Sequence, residues 1–229
     1  MRMKNSARAV PFRLLLATLG VASMLAGCAS SPPVNYYTLL QADGASAQAA
    51  APLRVAGNQA VIEMLPVSVP VQVDQPQIML RDPAGLVTPR YSDRWSAPLG
   101  DELRLALSDR LTRRLGVADV YEVKAARGQP VWRVQMDVQR FDSILGDVAI
   151  IDATWRLRAI NMQAPASLCR TSIRQRVAGS DISSIVAAHQ IAVSTLGDIV
   201  AARVAGNEAA GQEGVTHQCS ALNESVSNG

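Results

Sequence analysis

The residues best placed to do chemistry are Leu25-Ala26-Gly27-Cys28, which have the composition and spacing of a lipobox, where a signal peptidase cuts before a cysteine that is acylated. Arg2, Lys4, Arg8 and Arg13 supply a positive lead, Leu14 to Leu25 an apolar run, and Ala26-Gly27 the small residues a peptidase requires. The apolar run is shorter than the roughly 20 residues that cross a bilayer. An ordinary secretory signal with a chance cysteine would have to match this three-part pattern by coincidence. Cys28 is therefore expected to be the first residue of the mature protein. Several acyl chains there, at about 0.8 kcal/mol per buried methylene, would hold it to a membrane far better than one chain can. Ala29 stands where an aspartate would retain a lipoprotein in the inner membrane, so the outer membrane is expected, with the chain facing the periplasm.

Losing residues 1–27 removes four basic side chains and no acidic one. The formal charge of +3 falls to about −1, with 18 Lys+Arg left against 19 Asp+Glu. A near-neutral mature chain carries no nucleic-acid footprint.

Two cysteines remain after lipidation. In an oxidising periplasm Cys169 and Cys219 are expected to pair, tying a polar tail to the domain. Closing so long a loop would contribute about 3 to 4 kcal/mol. His217-Gln218-Cys219 also offers metal-binding groups, but two ligands fall short of the three or four that zinc takes, and no metal is expected. His189 and His217 have no nucleophile beside them in a motif. Nucleophile elbows, phosphate loops, paired metal histidines and dinucleotide glycine patterns are all missing. Asp142, Asp147 and Asp152 cluster near one hairpin, as carboxylates at turns commonly do. The expectation is no enzyme, and no cofactor beyond the covalent lipid on Cys28.

The elements that must carry these residues are legible in the periodicity. Leu99, Leu103, Leu107, Leu111 and Leu115 recur at helical spacing, with Ser96 as the expected cap, acids in the first turn and Gly116 at the end. That row reads as core rather than as a partner groove. Ser180-Asp181 opens a second helix running to about Ala205, with Ile182, Ile185, Val186, His189, Val193, Leu196 and Val200 on one stripe and His189 half-buried. Short strands are expected at Val34 to Leu40, Gln59 to Val67, Gln77 to Leu80, Leu86 to Tyr91 and Val117 to Val123. Longer alternating ones follow from Trp132 toward Phe141, Ala149 to Ala159 and Leu168 to Val177. These three make an antiparallel meander with one wet face. Arg156, Arg158, Arg170, Arg174 and Arg176 lie on that face. They read either as a solvated surface or as a cationic stripe for lipid phosphates or an acidic partner.

Two amphipathic helices and a one-sided sheet bury each other's apolar surfaces, so an α+β fold is expected, with both helices on one face of an antiparallel sheet. The organisation is read as a signal peptide at 1–27, a lipidated start with a short strand and linker at 28–57, the α+β domain at 58–205, and a polar tail at 206–229.

Tyr36-Tyr37-Thr38-Leu39, the run from Pro70 to Asp74 into Pro76-Gln77-Ile78-Met79-Leu80-Arg81, and Arg94-Trp95-Ser96-Ala97-Pro98-Leu99 opening a helix give the chain a resemblance. It resembles the PqiC-like auxiliary lipoproteins of ABC-type transport systems, over nearly all of the mature chain. Where that family tends to have an aromatic-aliphatic pair and then Asp-Arg, this chain has Gln72-Val73-Asp74-Gln75. The resemblance implies an outer-membrane component of an intermembrane lipid transport system. Its partners would be an MCE-domain periplasmic protein with an inner-membrane permease and ATPase, and its copies would form a homo-oligomeric ring. Arg94 and Trp95 are candidates for the partner interface, Trp95 alternatively being a buried staple beneath the helix. A lipid-binding carrier and an assembly lipoprotein for an outer-membrane or secretion complex are the other readings.

Overall fold

The leucine row builds helix α1, Leu99–Leu115, and all five leucines are buried. Its cap differs from the expected one. Pro98 precedes the helix in an extended conformation, its carbonyl accepting from the amides of Asp101 and Glu102, while the Ser96 hydroxyl reaches the Glu102 side chain instead. Gly116 closes the helix at φ 65°, a left-handed conformation that glycine adopts without a Cβ penalty. The second helix, α2, spans Ile182–Val204 and opens on Asp181, whose carboxylate accepts from the Ser184 amide at 2.7 Å. Hydrogen bonds from Ser184 hold the Asp181 carboxyl below its ordinary range. By length and composition α2 would cross a membrane, yet its whole expected stripe is buried inside the protein. His189 on that stripe is fully buried rather than half-buried.

The computed structural model describes residues 33–42, 53–55 and 59–222, so Cys28 and the segment before it lie outside the described residues, as does most of the expected linker. From Val34 onward the chain forms one unit. The strands are β1 (Asn35–Tyr37), β2 (Val61–Met64), β3 (Gln77–Arg81), β4 (Val87–Trp95), β5 (Val131–Ile144), β6 (Val148–Ile160), β7 (Ala166–Arg176) and β8 (Val215–Leu222).

A five-stranded sheet runs β2-β5-β6-β7-β8, and a separate three-stranded sheet runs β1-β4-β3. The meander β5-β6-β7 is antiparallel as expected, with Ile151, Ala153, Trp155 and Leu157 of β6 buried beneath the helices. Parallel pairs join β2 to β5 and β1 to β4, so both sheets are mixed. The helices meet at Gly197, where an added Cβ would lie 2.7 Å from Arg110 Cγ; Arg110 in turn grips Asp198 through two hydrogen bonds of 2.9 and 2.6 Å. Val117 to Val123 is not a strand. The Asp119 carboxylate accepts from the Met64 and Tyr121 amides and the Ser108 hydroxyl, fixing the segment as an irregular strap with one bridge to Ile62.

Candidate functional site

The N-terminal arm, through which a lipid on Cys28 would reach the domain, is held by two buried carboxylates and one amide. On β1, Asn35 Nδ2 and the Tyr37 hydroxyl both donate to Asp93 Oδ1, at 3.0 and 3.3 Å, from the register partner of Asn35. Past the strand, the Glu102 carboxylate in the first turn of α1 accepts from Thr38 Oγ1 at 2.7 Å, the Leu39 amide at 2.8 Å and Ser96 Oγ at 2.5 Å. Gln190 Nε2 on α2 donates to the carbonyls of Thr38 and Leu40, at 2.9 and 3.3 Å. Leu39 is driven into the core, 1% exposed. Asp93 and Glu102 are themselves buried; Glu102 meets three directed donors, and Asp93 meets two with the Arg90 guanidinium 3.6 Å away.

Of the residues expected at an interface, Trp95 is 4% exposed and stands edge-on to Phe141 at 6.0 Å, under the start of α1. Arg94 is half-buried, with Nε on the Tyr91 carbonyl at 3.4 Å. Asp142 joins the two sheets: Arg81 of β3 and Arg140 of β5 donate to it at 2.8 and 2.6 Å. Glu102, Asp93 and Gln190 did not stand out in the sequence.

His189 stacks on Phe141 at 3.9 Å, and its Nε2 lies 2.8 Å from Ser143 Oγ. The pair resembles a nucleophile and its base, but both residues are buried and the His189 Nδ1 has no partner to orient it. Burial pushes the imidazole pKa down to about 3, with Asp142 opposing weakly. The unfolded chain therefore binds a proton near pH 6.5 that the folded protein refuses until about pH 3. Stability is complete above pH 6.5, declines as the pH falls through this window, and loses of order 5 kcal/mol from this group alone. Urea unfolding at a series of pH values should show that His189→Phe flattens this decline relative to the wild-type protein. Parallel pH dependences would mean that the ring is not neutral in the fold.

Cys169 and Cys219 lie directly opposite each other on β7 and β8 and are joined by a disulfide. The tail beyond Val204 is thus partly ordered as β8, an edge strand whose side chains are mostly exposed. His217 sits beside it. It is stacked over Trp155 with Nδ1 on Thr171 Oγ1 at 2.9 Å and Nε2 3.3 Å from Cys219 Sγ. Burial, helped by Arg203, holds its pKa below the usual histidine range. Strand pairing thus brings together three metal-binding side chains where the sequence offered two. With the sulfurs bonded to each other, neither is available as a thiolate ligand. Reduction, or Cys219→Ser, is expected to cost about 4 kcal/mol, read as a lower melting temperature, because a loop of 50 residues is released. An unchanged melt would mean that β8 contributes little to the fold.

On the solvent face of the meander, Arg133 pairs with Glu63 at 2.5 Å and Arg140 with Asp142 and Asp152, while Arg156, Arg170, Arg174 and Arg176 meet no carboxylate among the described residues.

Residues 37–201 match the family described as the ABC-type transport auxiliary lipoprotein component. The chain belongs to that family. The match covers the auxiliary lipoprotein from Tyr37 in the arm to Ala201 near the end of α2, and stops before β8 and Cys219. Among solved structures, it is similar to a crystal structure of a protein described only as uncharacterized, with 14% identity, a TM-score of 0.59, and 75% of this chain covering 99% of that one. It is also similar to protein XCC0632 from Xanthomonas campestris, assigned to family DUF330, with 15% identity, a TM-score of 0.50, and 75% of this chain covering 96% of that one. At these identities the likeness shows the auxiliary lipoprotein's fold. No curated protein matches it in sequence.

Proposed function

We propose that this auxiliary lipoprotein is the non-enzymatic outer-membrane subunit of an MCE/ABC-type intermembrane lipid transport system. It acts as a periplasmic dock that supports envelope integrity. The observation that carries the reading is the arm. A chain that begins at a lipobox cysteine passes directly into a latch of Asp93, Glu102 and Gln190, as suits a subunit that must hold a partner against a membrane. A carrier would instead need an apolar cavity between sheet and helices. Leu103, Leu107, Val134, Trp155, Leu196 and Val200, none more than 1% exposed, fill that space. The partners would be an MCE-domain periplasmic protein with its permease and ATPase, met by several copies of the chain arranged as a ring.

A tagged pull-down of the native lipoprotein from gently solubilised envelopes should recover that MCE protein, permease and ATPase. Recovery of only an outer-membrane barrel or secretion subunit would overturn the reading in favour of assembly. Cys28→Ala should leave the membrane fraction or accumulate as unprocessed precursor, seen by fractionation; normal retention would overturn the lipid anchor.

A further inference from the structure

Resting on the anchor proposed above, we infer that the three-stranded sheet is a membrane-contact surface, laid on the lipid headgroups of the leaflet that holds Cys28. Covalent geometry supplies the first argument. Six residues separate Cys28 from the start of β1, and the seven Cα-to-Cα steps between them reach only about 24 Å when fully extended. The β1 end of the domain therefore stays within about 24 Å of the bilayer surface while the lipid is inserted. The register Asn35↔Asp93 puts that end two residues along β4 from Tyr91.

Surface composition supplies the second. Among the described residues eleven large apolar or tyrosine side chains are exposed, and of these Val34, Tyr36, Val71, Leu86 and Tyr91 belong to this small sheet or the residue before it, the hairpin tip between β3 and β4, and the loop leading into β3. Tyr36, Leu86 and Tyr91 are 65%, 65% and 72% exposed, although aromatic residues make up only 4% of the chain. Tyrosine favours the headgroup level, where its ring is shielded and its hydroxyl stays wet. Arg94 on the same strand has an aliphatic stem that can lie along the apolar layer while its guanidinium meets phosphate; the Arg90 guanidinium is already drawn to Asp93, at 3.6 Å. No strong intrinsic affinity is required, because the lipid already sets a high effective concentration. The five-stranded sheet and the arginines on its solvent face would then be left for periplasmic partners.

The test uses full-length lipidated protein in vesicles of phosphatidylethanolamine and phosphatidylglycerol whose acyl chains carry bromine. All three native tryptophans are buried, so Tyr36→Trp, Tyr91→Trp and, as a control on the exposed face of β7, Leu168→Trp each add one exposed reporter. In protein that floats with the vesicles, the emission added at 36 and 91 should be quenched and that added at 168 spared. Equal quenching at all three sites, or none at 36 and 91, would overturn the membrane surface and give the patch to a protein partner. Failure of the wild-type protein to float would overturn the anchor itself, and this inference with it.

Discussion

Leu107→Asp is expected to abolish cooperative folding. Leu107 is fully buried, and its Cδ2 lies 3.9 Å from where a Cβ would stand on Gly197 of α2. A carboxylate placed there enters the apolar core to which Leu107 belongs. The cations one turn to either side on the helix, Arg104 and Arg110, are already committed to Glu122 and Asp198. Lost transfer energy, a void and an uncompensated charge together cost more than about 5 kcal/mol, comparable with the whole stability of a domain this size. Loss of the near-ultraviolet circular dichroism signal and of any melting transition would report it. Leu105→Asp, two residues away at a position 40% exposed, should change stability by no more than about 0.5 kcal/mol. If both variants melted like wild type, the leucine stripe would be facing solvent.

The contrast between Leu107 and Leu105 was readable from the sequence, because a 3.6-residue period repeated over five leucines leaves one helical face that must be buried. The same holds for Ala149 to Leu157 and Cys169 to Ile173, where a period of two fixes which side meets the helices. Thr216-His217-Gln218-Cys219-Ser220 carries no such pattern. As strand β8 it depends on a partner already in place and on a covalent bond, and neither is a local property. Val117 to Val123 misleads in the opposite direction, since its β-branched residues suggest a strand that Asp119 intercepts with three hydrogen bonds. Trp95 was legible as a staple because an aromatic just before an apolar helix has a core to enter. The arm latch was not, because it joins residues 34–40, 93, 102 and 190. Only Glu102 left a trace: three residues after Leu99 and one before Leu103, it falls on the buried stripe, where a carboxylate must have donors waiting.

Glu102→Ala tests whether those donors matter. The substitution leaves the Leu39 amide without an acceptor inside the protein and frees Thr38 Oγ1 and Ser96 Oγ, at a cost of about 4 kcal/mol, most of it from the amide and the half-buried threonine. The core beneath α1 is otherwise intact, so the loss should appear first as undocking of the arm. Amide exchange at Leu39 and proteolysis within residues 34–42 should accelerate before the melting temperature reaches its lower value. Glu102→Gln is the informative partner. Its carbonyl can still accept from Leu39 and Thr38, and the Ser96 hydroxyl can turn to accept from its amide, so most of the protection should return. Restoration by Gln would mean that hydrogen-bond geometry, more than charge, holds the arm. Equal damage from Ala and Gln would mean that the ionised carboxylate is required. Undisturbed exchange in both would place the hold on the arm with Asp93 and Gln190. In the membrane-bound protein an undocked arm adds the length of residues 34–42 to the tether. The Ala variant should therefore stay in the membrane fraction while its domain swings farther from the bilayer, which separates loss of the latch from loss of the lipid.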